Sequence, residues 1–165
     1  MKRIIVIGCP GSGKSTFSRT LRDITGIPLY HLDRIFWKKD RSTISKHEFD
    51  RKLSEIMNRE SWIIDGNYSR TIEMRLEKCD TVFFLDYPVD ICLQGVRSRI
   101  GQKRSDIPWV ETDTDAEFLE FVENFSKTER PKILERLSGH PDVVVYRFTS
   151  RAQADQFLKD RGIHL

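Results

Sequence analysis

Residues 8–15 read Gly-Cys-Pro-Gly-Ser-Gly-Lys-Ser, a complete match to GxxxxGK[ST]. No other stretch constrains the chain as strongly, because the pattern works in one setting only. A loop must leave a buried strand, turn its backbone N–H groups inward and open a helix whose positive end adds to them. The flanks supply that setting. Lys2–Ile7 (KRIIVI) is a short apolar, β-branched run of the kind that forms a buried strand. From Lys14 onward Phe17, Leu21 and Ile24 recur on one helical face, and Gly26 stops the pattern. The loop is therefore expected to hold the phosphates of a nucleoside triphosphate, ATP with magnesium. Gly8, Pro10, Gly11, Ser12, Gly13, Lys14, Ser15 and Thr16 form the expected contact set. Within it Lys14 reaches the β- and γ-phosphates as a point charge, and Ser15 offers a hydroxyl to magnesium. Cys9 fills a variable position, and nothing near it marks a nucleophile.

The rest of the chain alternates strand and helix patterns. Strands are predicted at Pro28–Leu32, Trp62–Ile64, Thr81–Leu85 and Val143–Phe148. Residues 33–45 have no clear period and carry Phe36 and Trp37, so they read as a loop with room for a turn of helix. Ser45 and Glu48 make a capping box for a helix whose apolar face is Phe49, Leu53, Ile56 and Met57. Helices are predicted at Thr71–Lys78, Val89–Ile100, Asp115–Leu137 and Arg151–Lys159, with Pro131 kinking or splitting the long one. This order argues an α/β domain built on a parallel sheet. The 165 residues suit one such domain, with a loop from Gly101 to about Thr114.

Composition narrows the class. Apolar residues are 38% and charged residues 32% of the chain, and no apolar run approaches the roughly 20 residues of a membrane span. Lys2 and Arg3 precede only Ile4–Ile7 before the glycine loop, which is no signal peptide, so a cytoplasmic protein is expected. Cys9, Cys79 and Cys92 contain no CxxC pair, and His31, His47, His140 and His164 lack metal-site spacing. The net charge of +3 suits an anionic small molecule and does not by itself call for nucleic acid.

Ligands of an open parallel sheet sit beyond the carboxyl ends of its strands, where Asp33, Asp65 and Asp86 fall. Asp65 is a candidate to hold magnesium together with Ser15. Asp33 is a candidate to accept a hydroxyl proton from a phosphoryl acceptor, or to bind it. Each could instead cap the following loop or helix, the stronger reading for Asp86. Arg97, Arg99, Lys103 and Arg104 lie within eight residues and contain no acid among them. Converging from a loop, such arginines would answer the charge spread over a transferring phosphoryl group. The alternatives are a solvated helix end and a nucleic-acid patch, for which only Trp109 is an aromatic neighbour. Arg130, Lys132 and Arg136 form a second set, interleaved with Glu129 and Glu135. Trp37 and Trp109 fall in predicted loops, where they either close over a ligand or pack beneath their own loop.

Taken in order, the phosphate loop, His31–Trp37 (HLDRIFW), Trp62–Tyr68 (WIIDGNY), Val82–Pro88 (VFFLDYP) and Arg97–Asp106 (RSRIGQKRSD) resemble the FlaR-like DNA topology modulation proteins. These are similar to adenylate kinase and other small nucleoside and nucleotide kinases. The resemblance spans essentially the whole chain. It implies a five-stranded parallel sheet in the order 2-3-1-4-5 and a short mobile lid at about 101–114. It also implies that Asp65 helps organise magnesium, that Asp33 lies near the acceptor, that Arg97 is the arginine ending the helix before the lid, and that Arg99 and Arg104 correspond to lid arginines. Adenylate kinases follow their Asp-Gly with Phe-Pro-Arg, whereas Asn67-Tyr68-Ser69-Arg70 stands here, so the departure falls on the acceptor side. The expected activity is transfer of the ATP γ-phosphoryl to a small acceptor; the alternative is a regulatory nucleotide-binding protein acting on DNA.

Overall fold

The computed structural model describes residues 1–162. Five strands, β1 (Arg3–Gly8), β2 (Leu29–His31), β3 (Trp62–Asp65), β4 (Thr81–Leu85) and β5 (Val144–Phe148), form one parallel sheet in the order β2-β3-β1-β4-β5. Consecutive residues of a strand face opposite sides of the sheet. Ile4, Ile5, Val6 and Ile7 are all buried, as are Val82, Phe83 and Phe84, so both faces of the central strands are covered. Each such side chain contributes about 1.5–3 kcal/mol relative to exposure. β5 is an edge, and its Val144 and Val145 are exposed.

Seven helices lie in the crossovers, α1 (Lys14–Thr25), α2 (Leu32–Phe36), α3 (Lys46–Met57), α4 (Ile72–Leu76), α5 (Val89–Ser98), α6 (Ala116–Thr128) and α7 (Arg130–Ser138), and α8 (Arg151–Gly162) follows β5. α1 packs on α8, α5 on α6 and α6 on α7. Phe83 anchors one side of the core against Phe17, Tyr146, Phe148 and Phe157.

The differences from the sequence reading have local causes. Residues 33–45 contain α2, a helix of five residues, and an antiparallel bridge between Trp37 and Thr43. A helix this short shows no usable period. The long helical pattern is split at Pro131, one of the two expected outcomes: Pro131 stands in the first turn of α7, where its missing N–H has no intrahelical acceptor to serve. Only half of the capping box forms. Ser45 Oγ accepts from Glu48 N at 3.1 Å, while the Glu48 carboxylate lies 3.6 Å from Lys52 Nζ.

Candidate active site

The phosphate loop joins β1 to α1 as expected. Gly11 has φ 82°, and an added Cβ there would stand 2.0 Å from the Cys92 carbonyl oxygen of α5. Gly95, within α5, faces the loop as closely, with its own Cβ position 1.9 Å from Gly11 O. Two glycines thus let helix and loop touch backbone to backbone. α1 has no side-chain cap and no acid in its first turn, which leaves its N-terminal N–H groups and dipole available to an anion. Lys14 Nζ donates to Gly8 O at 3.0 Å and Cys9 O at 3.2 Å. Arg151, at the start of α8, donates to Ser12 O at 3.3 Å and Gly11 O at 3.1 Å.

Above the loop lies a cleft of about 570 Å³, within the usual range for small-molecule sites. Its roof is the segment 101–114. Ser15 Oγ donates to Asp106 Oδ2 at 2.7 Å. Arg104 bonds Asp106 through Nε at 3.0 Å and a terminal nitrogen at 2.6 Å, and reaches Glu111 at 2.7 Å. Burial raises the Asp106 carboxyl, but the hydrogen bonds and charge of Arg104 outweigh it, with help from Ser15, and hold it at about 2. Arg99 Nε lies 3.1 Å from Glu111 Oε2 without hydrogen-bond alignment, so the contact is an ion pair only. Arg34 donates to Ser105 O at 2.8 Å and Ile107 O at 3.3 Å, and Trp109 meets Trp37 edge to face at 5.6 Å. The lid therefore rests on α1 and α2.

The strand-end carboxylates have distinct surroundings. Asp65 is buried beside His31, its register partner on β2, with Oδ2 accepting from Nδ1 at 2.7 Å. Asn67 Oδ1 accepts from Gly8 N at 3.0 Å, and its Nδ2 donates to Gly8 O at 2.7 Å. Arg75 is fully buried and caps the same segment, donating to Gly66 O at 2.8 Å, to Tyr68 O at 3.2 Å and to Asn67 O. Burial pulls its guanidinium down to about 9, still protonated at neutral pH. Asp33 accepts from the Tyr68 hydroxyl at 2.5 Å. Burial raises the Asp33 carboxyl, and the Tyr68 hydrogen bond and Lys14 offset this only in part.

Of the predicted residues, Pro10, Gly11, Gly13, Lys14, Ser15, Thr16, Asp33, Asp65, Arg99 and Arg104 line this one cleft. Gly8 and Ser12 do not line it, and both are buried. Arg97 is not brought in. It stands exposed in the last turn of α5, and Arg99, two residues on at the helix end, points away from it. Asp86 accepts from Arg130 at 2.9 Å and Arg147 at 2.7 Å and does not line the cleft. Arg99 and Arg104 turn inward onto acids, so the basic run after β4 is not an open basic surface. Asp106, Asn67, Tyr68, Arg75, Gly95 and Arg151 were missed. The mid-helix Gly95 and the acid closing the basic run were readable signals; the buried Arg75 gave none.

Ser15, Asp65 and Asp106 offer hard oxygen donors of the kind magnesium takes. Among the described residues there is no group of three or more His, Cys, Asp or Glu side chains placed to hold a metal, and His164 lies outside those residues. Such a set fits an ion that keeps its waters and shares phosphate oxygens. Cys9, Cys79 and Cys92 are free, and among the described residues no helix is long and apolar enough to cross a membrane.

No protein-family model matches the chain. An adenylate kinase of Thermotoga petrophila is 30% identical over 155 residues, covering 92% of this chain and 59% of that protein. One of Thermotoga maritima is 29% identical over the same length. The chain thus spans under two thirds of the curated relatives it matches. Among solved structures, shikimate kinase from Acinetobacter baumannii in complex with shikimate superposes with a TM-score of 0.65 at 18% identity, covering 97% of this chain and 90% of that one. Shikimate kinase from Aquifex aeolicus gives 0.55 at 17% identity, covering 98% and 94%. The chain carries the P-loop nucleotide-kinase fold, with adenylate kinases as its sequence relatives.

Proposed function

We propose that the protein is a phosphotransferase that moves the γ-phosphoryl of ATP to a hydroxyl- or phosphate-bearing small acceptor. The observation that carries this reading is that one cleft holds both the phosphate loop and Asp33, a half-buried carboxyl that has no ion-pair partner among the described residues. The loop N–H groups and Lys14 hold the β- and γ-phosphates, and Lys14 leaves the Gly8 and Cys9 carbonyls to do so. Ser15 with Asp65 or Asp106 would hold magnesium, which supplies neutralisation of phosphate charge. Arg99 and Arg104 answer the charge on the transferring group. Asp33 takes the proton as the acceptor oxygen bonds to the γ-phosphorus. The bond from that phosphorus to the β–γ bridging oxygen breaks, and its electron pair leaves on ADP. Catalysis on this reading is positioning and electrostatics. Relatedness to adenylate kinases and the fold shared with shikimate kinases support it.

The test is ADP release with MgATP across nucleosides, nucleoside monophosphates and small hydroxy acids. At least one acceptor is expected to raise turnover well above the acceptor-free background; a panel that leaves it unchanged refutes the reading.

A further inference from the structure

We infer that the acceptor is an uncharged molecule presenting a hydroxyl and a flat ring, a nucleoside rather than a nucleotide or a hydroxy acid; this rests on the phosphotransferase reading above. The cleft has two unlike ends. Lys14, Arg19, Arg99, Arg104 and Arg151 supply cations around the loop and the base of the lid. The opposite wall comes from α2, from the segment after β3 and from the lid beyond Asp106. Its residues include Asp33, Trp37, Tyr68, Ile107 and Trp109, and among the described residues lining these segments none is Lys or Arg. The lid adds Glu111 and Asp113 to the lining, and Asp115, at the start of α6, follows them.

The arginines of these segments that stand outside the lining are committed elsewhere. Arg34 donates to the lid carbonyls of Ser105 and Ile107. Arg70 holds Asp50 through two bonds, at 3.0 and 2.6 Å. Arg41, in the loop after α2, stands over the Trp109 ring at 5.7 Å, against the wall but outside its lining. A phosphate or carboxylate at this wall would face the Asp33 carboxylate with no Lys or Arg of the wall itself to pair with it, the charges that reach Asp33 being Lys14, Arg99 and Arg104 at the phosphate end, a juxtaposition that sites use for rejection. A neutral hydroxyl meets the same carboxylate as a hydrogen-bond acceptor and a base. The remaining wall is aromatic. Tyr68 is stacked on Phe49 at 5.4 Å, and Trp37 and Trp109 meet edge to face. Rigid aromatic walls recognise flat rings by stacking.

The test measures kcat/KM by ADP release for matched pairs, each common nucleoside with its 5′-monophosphate, together with small hydroxy acids. At least one nucleoside is expected to exceed its own monophosphate on the order of 10²-fold. A monophosphate or hydroxy acid used as well as or better than every nucleoside overturns the inference and leaves the phosphotransferase reading standing. In parallel, tryptophan fluorescence is titrated with the same pairs in the presence of a non-hydrolysable ATP analogue, and Trp109→Phe identifies the signal arising in the cleft. Tighter binding of a nucleoside than of its monophosphate supports the inference even if no ADP is released, a result that sinks the phosphotransferase reading alone. Equal or tighter binding of the monophosphate, or no saturable change with any nucleoside, overturns the inference.

Discussion

Asn67 grips the first glycine of the phosphate loop through both of its backbone groups, accepting from Gly8 N at 3.0 Å and donating to Gly8 O at 2.7 Å. The amide matches donor to acceptor on both sides, and Arg75 fixes the segment from behind. Asn67→Ala leaves both groups partly buried and unpaired, which is expected to cost about 1–3 kcal/mol in denaturant unfolding. Asn67→Asp keeps the acceptor but sets an oxygen against Gly8 O, so it is expected to cost at least as much despite its near-identical shape. An Asn67→Asp variant as stable as the parent would show that the grip is incidental.

Gly95→Ala is expected to reverse the ordinary rule for helices. In a free helix interior alanine gains about 1 kcal/mol over glycine. Here the new methyl would stand 1.9 Å from Gly11 O and 2.8 Å from Gly11 C, backbone atoms that cannot swing aside. Overpacking of this kind costs about 1–3 kcal/mol or more. The variant should melt lower than the parent and gain less from MgATP, because the displaced atoms belong to the phosphate loop. Thermal melts with and without MgATP check both effects.

What the sequence revealed follows from how local each signal is. The loop from Gly8 to Ser15 was legible because a contiguous motif, a strand and a helix enforce one geometry. The parallel sheet was legible from apolar runs, while its order came only with the family resemblance. The partners of the motif were not legible. Asn67 lies 59 residues from Gly8 and Asp106 lies 91 from Ser15, and no residue type announces a contact across such a gap. Arg97 and Arg99 stand two residues apart, a spacing that sends them to different faces of a helix, but which of the two turns to the cleft is not written in the chain. Asp106 stood at the end of a basic run and disappeared into its charge count, although it is the group that Arg104 holds.

Asp106 should make stability depend on acid in a defined window. Its folded value of about 2 lies below the ordinary 3.8, so its stabilisation is complete above the ordinary value and is lost as pH falls through the folded one. A shift of nearly two units corresponds to roughly 2 kcal/mol, for a side chain only 8% exposed. Asp106→Asn keeps the shape and removes the charge. It is expected to cost roughly 1–2 kcal/mol at neutral pH and almost nothing near pH 2. Denaturant unfolding at the two pH values measures the difference; a cost that does not shrink in acid would place the stabilisation in packing rather than in the Arg104 pair.

Asp33 is expected to show the opposite linkage and to set stability against activity. Burial raises its folded pKa above the ordinary 3.8, so the fold favours the protonated carboxyl. The stabilisation this brings is fully present below the ordinary value and is lost as pH rises through the folded one, which leaves a buried charge as a net cost at neutral pH. Asp33→Asn retains an acceptor for the Tyr68 hydroxyl and cannot ionise. It should therefore melt higher than the parent at neutral pH, with the gain vanishing below about pH 3.8. Turnover with a hydroxyl acceptor should fall on the order of 10²–10⁴-fold, the range for loss of a general base. Tyr68→Phe removes the bond that lowers Asp33, so the acidic limb of its kcat/KM profile should move to higher pH. A Tyr68→Phe limb unmoved, together with an Asp33→Asn enzyme that still turns over at the parent rate, would take the proton-accepting role away from Asp33 and leave it a structural partner of Tyr68.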